Sequence, residues 1–290
     1  MPSHIYIRVG RYADAVRANQ AATASDHAYV SQCHAQGLYP VALVPHNHHF
    51  LLFAALMAGQ QAVALDAARH TAHLADPELM RQPGYGTLQH YATMPLYTLV
   101  KFEQWAAILA EPAPEADLTY PTGVWHFARG MALTAEGKIE PARRELDQLQ
   151  TLVQSPTLEG VTIWDINTTA NLLQIATEVL AGEIAAKQGA YDQAITHLRS
   201  GVALEDALNY DEPAPWALPV RHTLGRVLLA AGRPVEAEHA YRENLAIYPE
   251  NGWSLYGLAQ SLEAQGKLAA AEAVQTRFAE AWAQADFELD

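Results

Sequence analysis

Histidine is the residue type in this chain with the most chemistry to offer. It occurs 13 times in 290 residues, and His46, His48 and His49 fall together in VPHNHHF. Neutral imidazole ligates zinc, copper, nickel or ferrous iron and carries protons near neutral pH. On a helix His46 and His49 share a face, whereas His48 points elsewhere. Other reactive patterns are missing. The lone cysteine, Cys33, excludes an internal disulfide and a thiolate-rich metal centre, and is expected to be a small buried apolar residue. No HExxH, G-x-S-x-G or glycine-rich phosphate loop occurs. With 18 basic and 32 acidic side chains the net charge is −14. That disfavours nucleic acid and anionic membranes as partners. The N-terminal MPSHIYIRVG lacks the layout of a signal peptide, and the longest apolar run, Phe50 to Ala58, is too short to span a bilayer. A cytoplasmic protein is expected.

The elements that must position these histidines are set by a repeat. Gly10, Gly59, Gly137, Gly189, Gly232 and Gly266 are each followed five residues later by alanine: Ala15, Ala64, Ala142, Ala194, Ala237 and Ala271. A degenerate copy, EQWAAI, puts Glu103 in the glycine place and Ile108 in the alanine place. The shortest spacing is 34 residues, from Gly232 to Gly266. Glycine ends one helix and turns the chain, and the small alanine lets the next helix pack closely. A second small residue, at Gly130, Gly182, Gly225 and Ala259, predicts one more close approach between paired helices. Apolar residues at helical spacing surround these positions, and no stretch alternates with period two. The spacing therefore predicts an all-α stack of antiparallel helix pairs forming a single domain over residues 1–290.

This pattern resembles the tetratricopeptide repeat family. Gly225, Gly232, Ala237, Tyr241 and Pro249 fill five of its consensus places in one repeat, and Tyr12, Trp105 and Tyr191 supply an aromatic in others. MPSHI and YDEPAPW further resemble a group of bacterial repeat proteins of unassigned biochemistry. The resemblance implies a right-handed α-solenoid of about seven hairpins. It also implies a concave groove lined by the first helix of each hairpin. In that register His4, His46, His49 and His90 face the groove as candidate metal ligands, with Glu183 and His126 as further candidates. On the metal reading, one of two left open, a zinc, copper or iron ion is the candidate cofactor; no cofactor is certain. Phe53, Met57, Tyr97, Phe127, Met131 and His222 would form a ligand-binding wall. Two functions remain open: binding of a peptide, protein or small ligand, or a His-ligated metalloprotein or metal-dependent enzyme.

The residues in excess of the repeat fall in four insertions, Asp26–Pro45, Asp76–Thr87, Ser155–Trp164 and Asp206–Pro219. Each contains turn formers, and aromatics recur among them. Such loops either adjust curvature or carry function. Asp211-Glu212 is expected to cap the helix that follows YDEPAPW, with a contact at the groove mouth as the alternative. The stripe Val274, Phe278, Trp282 either packs on the preceding hairpin or forms an interface with a second copy. In repeat register the chain starts half-way along a first helix. That predicts an uncovered apolar face, met by a missing N-terminal part or by a homodimer contact.

Overall fold

The computed structural model describes residues 2–289. Fourteen α-helices account for most of them: α1 (Pro2–Arg8), α2 (Tyr12–Cys33), α3 (Val44–Met57), α4 (Gln61–His73), α5 (Gly86–Lys101), α6 (Trp105–Ala110) and α7 (Thr119–Ala135). They continue as α8 (Ile139–Val153), α9 (Thr169–Lys187), α10 (Tyr191–Asp206), α11 (Val220–Ala230), α12 (Pro234–Ile247), α13 (Gly252–Glu263) and α14 (Leu268–Ala281). Each odd-numbered helix packs on the even one after it, and each even one on the next odd one. The paired-helix α-solenoid expected from the spacing is present.

The turns form for the reason the repeat implies. Every repeat glycine adopts a left-handed backbone, and Glu103, standing in the same place, takes φ 54° despite its side chain. The small residues inside helices do two different jobs. Gly225 and Gly257 face the two sides of the Tyr241 ring, and a Cβ at either would overlap it. Tyr241 thereby ties α12 to both α11 and α13. Gly130 meets Leu180 of α9, in the next hairpin, rather than its own partner α8, so its close approach joins successive hairpins.

The first insertion is shorter than the spacing implies. Helix α2 runs on to Cys33, which is exposed rather than buried, and a π-helical turn over Tyr39–Leu43 leads into α3. Thr162–Ile163 and Asn167–Thr168 pair as a two-residue antiparallel hairpin, too short to leave an alternating signature.

The concave side is closed. From His49 to Ala58 every residue of α3 and its C-cap is buried, so this helix is enclosed all round rather than amphipathic. The last elements cover it. Trp253 of α13 donates its indole N–H to the Leu56 carbonyl at 2.7 Å. Phe53 meets Tyr248, and Trp282 packs against Gly59 and Gly252. The C-terminal tail completes the closure. Asp286 caps α4 by accepting from the Gln61 and Ala62 amides, and Phe287 packs on Phe102 and Trp253. Phe278 lies against Tyr256 of α13. The apolar stripe of α14 thus seals the stack on itself.

Candidate functional site

Closure brings α1 against the chain between α10 and α11, and a cavity of about 220 Å³ lies at this seam. Phe53 of α3, Trp216 and Tyr248 supply apolar wall, and Tyr210 stands at the exposed edge. Four carboxylates line it: Glu205, Asp206, Asp211 and Glu212. Arg8 is the one basic residue among the described lining.

The carboxylates are not equivalent. Asp206 is engaged by Arg221 through two 2.7 Å bonds. Glu212 accepts from His4 Nδ1 at 2.6 Å with one oxygen and from the Tyr210 hydroxyl with the other. Glu205 accepts only the Val220 amide, at 2.9 Å, which caps α11. Asp211 accepts only the Glu212 amide, at 2.8 Å. Among the described residues neither has a cationic partner. Burial, the largest influence on both, pushes the Glu205 carboxyl up to about 8 and the Asp211 carboxyl up to about 6. Trp216 is 1% exposed, and its indole N–H has no hydrogen-bond acceptor among the described residues.

The candidate histidines on α1, α3 and α5 are neighbours in a row, with His49 flanked by both His46 and His90. The rings of His4 and His46 lie 6.0 Å apart, and those of His49 and His90 lie 5.6 Å apart. Burial lowers His46 to about 4 and His90 to about 3, and holds His49 well below the usual imidazole value. All three are neutral at physiological pH. His90 Nδ1 is 2.8 Å from the Tyr120 hydroxyl. His126 pairs with Glu145 at 2.6 Å, and Glu183 with Arg226. Among the described residues no group of three or more His, Cys, Asp or Glu side chains is arranged to hold a metal ion.

His222 has a different setting. Its Nε2 donates to Asn244 Oδ1 at 3.0 Å and Asn251 Oδ1 at 3.1 Å, so its Nδ1 is free to accept from Lys101 Nζ at 3.0 Å. The Lys101 ammonium also sits 3.7 Å over the Trp253 ring. Burial brings this lysine down to about 7. The arrangement bridges α5 to α11 and α13 across the closed side.

Two stretches of the chain match known protein families. Residues 173–250 match a model described as tetratricopeptide repeat, and residues 228–275 match a second of the same description. Residues 173–275 are thus similar to tetratricopeptide repeats. No curated protein matches the chain. In this repeat array the face expected to line an open groove has become core. Met57, Tyr97 and Phe127 have at most 1% of their surface exposed. Met131 is half-buried at the edge of that core, and Phe53 alone of the expected wall lines the cavity.

The YDEPAPW insertion supplies most of the site. Asp211 and Glu212 do not cap α11; Glu205 does, from the end of the preceding helix. Glu212 instead reaches back to the first helix. Glu205 carried no signal in the sequence, because an acidic residue at a helix end reads as surface. The aromatic content of the insertion was the signal that pointed to Trp216. Chemically, the site can bind a cation against apolar walls. His4, held through Nδ1 by Glu212, leaves Nε2 as a proton acceptor. No Ser, Thr or Cys side chain hydrogen-bonds to His4 among the described residues. No described helix is long and apolar enough to cross a membrane.

Proposed function

We infer that the protein is a binding module whose ligand site is the seam cavity, taking a small molecule or one side chain of a partner peptide. The observation that carries this reading is a cavity of about 220 Å³ at the seam, lined by four carboxylates beside apolar residues. Buried polar groups in folded proteins are almost always hydrogen-bonded. Here Glu205 and Asp211, both half-buried, each accept one backbone amide and keep a second oxygen without a partner among the described residues. A cavity of this size exceeds the roughly 150 Å³ that admits benzene, so a chain of about five carbons fits.

Filling the cavity tests the reading. Pentylamine, pentanol and pentanoate serve as probes of equal length. At least one is expected to shift the melting temperature and the tryptophan emission, and Ala214→Phe, from the cavity wall, is expected to abolish both shifts. Loss of neither shift in a folded Ala214→Phe protein would place the ligand elsewhere.

The metalloprotein alternative draws no support from the geometry, since among the described residues no group of three or more His, Cys, Asp or Glu side chains is arranged to hold a metal ion. Elemental analysis of untagged protein tests it. More than about half an equivalent of zinc, copper or iron, lost in a His46→Ala, His49→Ala double variant, would revive it.

A further inference from the structure

We propose that Lys101 is a nucleophilic amine that takes a small uncharged aldehyde as an imine, with His222 as its base. Neither residue lines the seam cavity, so the site is a second one.

Lys101 is unlike the other lysines of the chain. Lys138 and Lys267 each reach a carboxylate at 2.7 Å, Lys187 reaches a backbone carbonyl at 2.9 Å, and all three are exposed. Lys101 Nζ has neither kind of partner among the described residues. It faces His222 Nδ1 at 3.0 Å and lies 3.7 Å over the Trp253 ring.

The imidazole is set from its other side. Asn244 Oδ1 accepts from the Ser254 hydroxyl and the Asn251 amide, and Asn251 Oδ1 accepts from the Ser254 backbone N–H. Both oxygens are thereby fixed as acceptors, and His222 Nε2 meets them at 3.0 and 3.1 Å. The ring proton is on Nε2, and the lone pair of Nδ1 is aimed at the amine. Nucleophile, base and orienting group stand in hydrogen-bond reach in that order, the arrangement that activates a weak nucleophile. A lysine kept as a structural cation would call for a carboxylate instead.

Access and charge select the electrophile. Lys101, His222 and Trp253 are each half-buried, so solvent reaches them. The Trp253 ring offers apolar surface to an alkyl or aryl stem. Glu103, at the end of α5, is the charge coupled to Lys101; it also neighbours Arg226 of α11, which is paired with Glu183. With Arg226 so engaged, a keto acid finds no free cation there among the described residues, and an uncharged aldehyde fits.

Imine formation balances on these groups alone. The amine lone pair bonds to the carbonyl carbon, and the C=O pair moves to oxygen. One amine proton passes through His222 Nδ1 to that oxygen. The second takes the same route as the hydroxyl leaves as water. Burial brings Lys101 down to about 7, which agrees with this geometry by leaving much of it as free amine near neutral pH.

Reductive trapping on the full chain is the test. Folded protein is incubated at pH 7 with propanal or benzaldehyde and cyanoborohydride, and alkylation is read at each lysine by peptide mass mapping. Lys101 is expected to react about tenfold faster than Lys138, Lys187 and Lys267, whose exposed amines are almost fully protonated at that pH. Its rate is expected to level off above about pH 8, while theirs still climbs toward about pH 10. His222→Phe keeps a ring without nitrogens and is expected to slow trapping at Lys101 about tenfold, leaving the other three unchanged. Lys101 reacting no faster than the exposed lysines in wild type would overturn the proposal, whatever the variant does. An unchanged Lys101 rate in folded His222→Phe would overturn the role of the imidazole. A stronger preference for Lys101 with glyoxylate than with propanal would overturn the uncharged class.

Discussion

Glu205 shows how one side chain can set a pH dependence that no surface acid would. Its carboxyl lies under the seam with a backbone amide for a partner and no cation, and burial raises it to about 8. Between the ordinary carboxylate value near 4.5 and this raised value, the folded chain binds more protons at this residue than the unfolded chain does. Its contribution is therefore fully present below about pH 4.5 and is lost as pH rises toward 8. Without ligand, wild type is expected to lose on the order of 1–2 kcal/mol relative to Glu205→Gln between pH 5 and 8, after allowance for solvent reaching the cavity. Urea titrations at both pH values check this, and a flat difference would show that the carboxyl ionises normally. The residue was invisible in the sequence because nothing local distinguishes it from the other acids of α10. Its environment is made by Val220, Tyr248 and the YDEPAPW loop, all distant or later in the chain.

At the scale of helices, two positions carry opposite expectations. Glu103 occupies a glycine place with φ 54°. A left-handed conformation costs a non-glycine residue about 1 kcal/mol or more, whereas glycine adopts it freely. Glu103→Gly is expected to raise stability by about 0.5–1 kcal/mol, measured by chemical denaturation. Gly225 is the reverse case, since the Tyr241 ring fills the space a Cβ would need. Gly225→Ala is expected to cost about 1–3 kcal/mol through overpacking. Combining it with Tyr241→Leu should cost less than the sum of the two single changes, because both act on one contact. These elements were legible in advance because glycine and alanine at fixed spacing state a local steric requirement. The partner of Gly130 was not, since spacing alone does not distinguish the hairpin's own second helix from the helix of the next repeat.

The whole molecule is held as a closed stack by a few long-range contacts. Trp253 touches Lys101, Trp282 and Phe287 and bonds to Leu56. Trp253 is half-buried, so Trp253→Ala is expected to cost about 2–3 kcal/mol, below the range for fully buried aromatics. It should also raise the radius of gyration in solution scattering, as the ends of the stack part. An unchanged radius in a folded variant would mean that the remaining seam contacts suffice. Asp286 acts on the same closure as a cap for α4, and Asp286→Ala should cost about 0.5–2 kcal/mol. A smaller loss in the radius-neutral Asp286→Asn would separate the capping oxygen from its charge.

The small residues, the turn glycines and the apolar faces at helical spacing determined the helix pairs, the order of their stacking and even the place of the degenerate turn at Glu103. Those are local demands, written within one or two repeats. Whether the concave side stayed open was decided only by tertiary structure. The small increments between neighbouring repeats add up over the whole stack, and no short segment encodes their sum. Closure turned Met57, Tyr97 and Phe127 from expected wall into core, and drew Glu205, Asp211 and Trp216 around one cavity. Residues 205–216 come to face Arg8 and Phe53 only because the first helix lies against the chain between α10 and α11.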